Sequence, residues 1–178
     1  VERVAKGFVI NKPSQPTAET TATATATETE QKTLDNIDIE IDDPSKYTIP
    51  SELSKRENDG NWIFRTKEIN HNEELQKIFS SFLTCINEIL PKLEKADRLK
   101  LKRSFNYFMK KYHENYIKQL TLKANNPSWA VTGRSGRNMD KYNREMERLH
   151  KLTGESIKLY NIMLEKIETA ERKTKKVS

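Results

Sequence analysis

Apolar residues are sparse through positions 1–60 and recur at helical spacing from 62 to 167. Leu75, Ile78, Phe79, Phe82, Leu83, Ile86, Ile89 and Leu90 repeat every three or four residues, which predicts an amphipathic helix. Asn70 or Asn72 is a good N-cap for it, with Glu73 and Glu74 in the first turn, and Pro91 ends or kinks it. Cys85 neighbours the apolar stripe and reads as structural, since no basic partner lies near it in sequence. A second helix is predicted over 94–123, with Leu101, Phe105, Phe108, Met109, Tyr112, Tyr116, Ile117 and Leu120 on one face. Asn125-Asn126-Pro127 stops it. A third runs over about 138–170 on Met139, Tyr142, Met146, Leu149, Leu152, Ile157, Tyr160, Met163, Leu164 and Ile167. Its alternating three- and four-residue steps suit coiled-coil-like pairing. Gly154 weakens its middle by roughly 1 kcal/mol relative to Ala and is a candidate bend or break.

The first sixty residues read differently. Thr20-Thr21-Ala22-Thr23-Ala24-Thr25-Ala26-Thr27 has nothing large to bury and cannot offset its ordering entropy, so a linker is expected. Ile37, Ile39 and Ile41 alternate with acidic residues, which places them on one side of an extended segment. A lone strand is unstable, so these three are candidate docking residues, for a partner's sheet edge or for the protein's own basic helices. A solvated acidic linker is the plainer alternative. Gly60-Asn61-Trp62-Ile63-Phe64 is a turn and a short aromatic run, expected to pack its Trp and Phe on the helices. The resulting expectation is an all-α fold: a helical hairpin or three-helix bundle with long helices, behind an extended, largely unstructured N-terminal tail. The boundary falls at 60/61, between a polar acidic tail and a basic helical domain spanning 61–178.

Charge sharpens this division. Residues 1–50 hold 5 Lys/Arg and 9 Asp/Glu, hence −4, whereas 95–151 hold 15 and 5, hence +10. Such a concentration favours nucleic acid, an anionic surface or an acidic partner, against the bland reading of a solvated helix face. One cysteine excludes an internal disulfide and a cysteine zinc cluster, and points to a reducing, cytoplasmic setting. No run approaches the ~18 apolar residues of a membrane span. The chain opens Val1-Glu2-Arg3-Val4, without an initiator Met or signal-peptide core, as a fragment or processed product would.

Candidate chemistry is concentrated in the connection Asn126-Pro127-Ser128-Trp129-Ala130-Val131-Thr132-Gly133-Arg134-Ser135-Gly136-Arg137-Asn138. It delivers Arg134 and Arg137 to a helix start whose first turns add Lys141 and Arg144. Free backbone amides and the helix dipole bind phosphate there, and guanidinium groups add bidentate contacts. Trp129 can pin the loop or stack on a base, and Lys110 and Lys111 extend the basic surface. The loop is neither a Walker loop nor a dinucleotide fingerprint. In the alternative reading the glycines only make the turn and the arginines cap or pair.

Trp129 to Asn138, followed by Lys141-Tyr142-Asn143, resembles the signature of small helical modules in phage and mobile-element polyvalent proteins. The resemblance covers about residues 70–170. It implies a non-catalytic accessory part encoded or delivered with foreign DNA, in the cytoplasm of a bacterial or host cell or in a virion. His113-Glu114 lacks the second histidine that a zinc-protease helix needs, and no nucleophile elbow or paired carboxylates on an apolar face occur. The sequence therefore points to a binding module without enzyme activity, cofactor or metal. Its ligand is nucleic acid, or alternatively a protein partner held through the N-terminal tail, with helix packing allowing a homo-oligomer.

Overall fold

The computed structural model describes residues 39–127, 133 and 138–177. It is an all-α helical bundle, with four helices and no strand among the described residues. Helix α1 spans Ser51–Asn61, α2 His71–Ile89, α3 Lys95–Asn125 and α4 Met139–Val177. Single 3-10 turns lie at Pro44–Lys46, Trp62–Phe64 and Leu90–Lys92. No described helix is long and apolar enough to cross a membrane.

The three expected helices form close to their expected limits, because local signals and burial agree. Asn70 caps α2, its Oδ1 accepting the Glu73 N–H at 3.2 Å. Leu75, Phe79, Phe82, Ile86 and Ile89 of α2 are buried against Leu101, Phe105, Phe108, Met109 and Leu120 of α3. Phe79 and Phe82 meet Phe108 edge-on, with ring centroids 6.0 and 5.0 Å apart. Such edge-to-face pairs add about 0.5–1.5 kcal/mol beyond the area they bury.

α3 and α4 pair antiparallel. Lys173 Nζ lies 2.7 Å from Asp97 Oδ1, Lys166 Nζ donates to Ser104 Oγ, and Gln119 Nε2 donates to Ser156 Oγ at 2.9 Å. The face of α4 is narrower than its apolar sequence suggests. Met163 and Ile167 are buried, whereas Met139, Ile157, Tyr160 and Leu164 are exposed. Two neighbours cannot cover a broader stripe on a helix of 39 residues, about 58 Å long. Gly154 does not break the helix, which runs continuously through it.

The helical unit starts at Ile39, not at residue 61. Two pieces assigned to the tail belong to it. Ser51–Asn61 is a helix that buries Glu57, Asn58 and Gly60, so no apolar period announced it. Residues 39–49 run as a strap over α2 and α3, secured by side-chain amides that bond its backbone. Asn106 accepts the Asp42 N–H at 3.0 Å and donates to the Glu40 carbonyl at 2.9 Å. Asn72 treats Ile49 in the same way, at 2.6 and 3.1 Å, and Gln76 donates to the Pro44 and Tyr47 carbonyls. Ile41, Tyr47 and Ile49 pack on the core beneath.

Of the two docking surfaces offered for the isoleucines, Ile41 takes the protein's own helices and not a partner's sheet edge; Ile39 is half-buried at the start of the strap, and Ile37 lies outside the described residues.

Candidate functional site

Charge is segregated between the halves of the bundle. Residues 39–94 carry 7 Lys/Arg and 11 Asp/Glu, hence −4, while α3 and α4 together carry 19 and 9, hence +10. On α3, Glu114 bonds Lys111 at 2.9 Å and also feels Lys110 and Lys118. The hydrogen bond from Lys111 holds its carboxyl below the usual range. Three lysines around one carboxylate leave a positive surface there.

The residues singled out from sequence are distributed unequally. Lys141 and Arg144 are exposed in the first turns of α4, where Asn138 Oδ1 accepts the Lys141 N–H at 3.0 Å and Arg144 Nε donates to the Asp140 carbonyl. Lys110 and Lys111 do not join them. Lys110 stands 15 residues before the end of α3, about 22 Å from the loop along the helix axis, because an α-helix rises only about 1.5 Å per residue. Trp129, Arg134 and Arg137 lie outside the described residues. Gly133, within the same connection, has φ 79°, a backbone conformation that favours glycine.

Around Glu57 the fold assembles a buried polar network. Glu57 is fully buried in α1 and grips Arg65 through both oxygens, at 2.6 and 2.7 Å. Its Oε2 also accepts from His71 Nε2 at 2.9 Å. His71 Nδ1 lies 3.1 Å from the Tyr116 oxygen, which donates to Glu74 at 3.0 Å. Burial alone would raise the Glu57 carboxyl. Hydrogen bonds and charge from His71 and Arg65 outweigh it and hold the group down to about 2. Burial, followed by the neighbouring Glu74, pushes the Tyr116 phenol up.

Arg65 is the hinge between two hollows at this end. One, about 330 Å³, is lined by Glu57, Asn61, Arg65, Lys123, Asn126 and Tyr142, with Met146 and Leu149 as an apolar wall. The other, about 210 Å³, lies under Trp62 and includes Asn58, Arg65 and Lys67. Trp62 does not pack on the core as expected: it is 63% exposed, and Ile63 is 42% exposed. The Arg65 N–H donates to the Trp62 carbonyl at 3.1 Å while its guanidinium is held by Glu57, which ties this turn to α1. Gly60 sits so close to Pro127 that an added Cβ would lie 3.1 Å from the Pro127 Cβ, which brings the Trp62 turn against the end of α3.

Sequence reasoning missed this network. Glu57 falls within the segment read as tail, and His71 lies between the two candidate caps Asn70 and Asn72. The available signal was Pro50-Ser51-Glu52, a reasonable helix start, but it carried no hint of burial. Among the described residues no group of three or more His, Cys, Asp or Glu could hold a metal ion. No family model, curated protein or solved structure matches the chain.

Proposed function

We propose that the protein is a non-catalytic binding module that contacts nucleic-acid phosphates through the Gly/Arg connection at the start of α4. The single observation that carries this reading is the segregation of charge, +10 on α3 and α4 against −4 on residues 39–94. An imbalance of that size gives the molecule a positive side on which a polyanion is attracted regardless of base sequence. Lys141 and Arg144, exposed where α4 begins, add to it. Arg134 and Arg137 precede them by a few residues in sequence and supply the bidentate groups. The proposed setting is the cytoplasm of a cell carrying the mobile element, or a virion.

A salt titration tests the reading. Affinity for a labelled oligonucleotide is expected to fall steeply with ionic strength, and replacing both Arg134 and Arg137 by Ala is expected to flatten the slope by about 2. Salt-independent binding, or none at low salt, refutes it. A second reading, a structural or protein-interaction component, is favoured by Ile157, Tyr160 and Leu164, which form an exposed apolar strip along α4. There, Ile157→Asp with Leu164→Asp is expected to abolish partner capture while leaving oligonucleotide affinity unchanged.

A further inference from the structure

We propose that Trp62 is a stacking platform for an unpaired base, so that the ligand at this end of the bundle is single-stranded rather than duplex nucleic acid. This deepens the phosphate-binding reading and rests on it. A tryptophan left 63% in water on a hydrogen-bonded turn needs a reason, since its indole is among the largest apolar surfaces a chain can bury. Among the described residues the ring meets no other aromatic ring, and its N–H has no acceptor. The turn that holds it is over-determined. The Arg65 N–H donates to the Trp62 carbonyl at 3.1 Å, and the Arg65 guanidinium is fixed by Glu57 and by Asn58. Asn58 in turn accepts the Ile69 N–H and donates to the Ile69 carbonyl. A buried ion pair is a weak source of net stability, but it is an effective way to hold one geometry. Here that geometry presents the indole outward.

The surroundings select the kind of ligand. The hollow under Trp62 and the larger cleft share Arg65, and Lys123 lines the far side of the cleft. A strand that lays a base on Trp62 meets Lys67 in the hollow and Lys123 in the cleft as its cations, since Arg65 is already held by Glu57 and Asn58. Asp59 and Glu68 line the same hollow as Lys67, and Glu57 is paired with Arg65. The cleft of about 330 Å³ is large enough for a single small group, with Tyr142, Met146 and Leu149 as a face for a second base. Duplex hides its base faces within the stack, and only a free strand or a frayed end can use such a platform.

The experiment uses the full chain with Trp129→Phe, which leaves Trp62 as the only tryptophan. An oligothymidine of about 12 nucleotides and a hairpin duplex are titrated in low salt, reading tryptophan fluorescence and the anisotropy of a label on the nucleic acid. The strand is expected to quench Trp62. Trp62→Ala is expected to weaken strand binding about 5- to 100-fold while duplex binding changes less than about twofold, and Trp62→Phe to retain most of the affinity. Because the side chain is exposed, both variants should keep the circular dichroism of the parent. If strand and duplex both bind and Trp62→Ala leaves the strand's affinity unchanged, the platform is wrong and the phosphate reading stands. An equal loss on strand and duplex also overturns the platform. If neither binds, both ideas fall together.

Discussion

Replacing Glu57 by Gln would test the bundle where its physics is most committed. The carboxylate is fully buried, bonds Arg65 through both oxygens and accepts from His71. Gln is nearly isosteric, so packing is preserved while the negative charge is removed and the Arg65 guanidinium loses its counter-charge. Removing one partner of a buried pair typically costs about 3–5 kcal/mol. The depression of its carboxyl, to about 2 from an ordinary 4.5, points the same way and corresponds to something on the order of 3 kcal/mol. With a urea dependence of about 2 kcal/mol per molar, the unfolding midpoint should drop by about 1.5 M, followed by far-UV circular dichroism. The pH dependence carries the sign. A depressed carboxyl contributes its stability fully above the unfolded value and loses it as pH falls through the folded one. The gap between wild type and Glu57→Gln should thus be widest at neutral pH and close between about 4.5 and 2. A gap under about 0.5 kcal/mol at neutral pH, or one that does not shrink on acidification, would show that the network is not a tightly held ion pair.

Two further substitutions probe the strap and the last helix. Asn106→Ala removes both amide bonds to Glu40 and Asp42, and is expected to cost about 1–2 kcal/mol and to speed amide exchange in residues 39–49 while the α2–α3 core stays protected; unchanged exchange there would mean that the apolar plugs alone hold the strap. Gly154→Ala is expected to stabilise by up to about 1 kcal/mol, since a Cβ there meets nothing within 4 Å and the helix is continuous; a lower melting temperature would indicate that the glycine serves a bend or a close contact.

Period-3.6 apolar patterning, an asparagine cap and the Asn-Asn-Pro stop were enough to place α2, α3 and most of α4 in advance. These signals are local: each helix shows its buried face and its ends within its own residues. The charge asymmetry was equally legible, because it is a count. Other features existed only once the chain was folded. Helix α1 buries a carboxylate and an amide, and polar residues show burial only when their partners are brought from elsewhere, here Arg65, His71 and Ile69. The strap is held by Asn72, Gln76 and Asn106, whose amides look like ordinary surface residues until an extended backbone crosses them. Ile157, Tyr160 and Leu164 stay exposed along α4, with only Tyr160 meeting a ring, that of Phe82, and Trp62 stands in water where its size predicted the core. Hydrophobicity says that a side chain gains from burial; whether a surface is present to bury it depends on how few helices surround it.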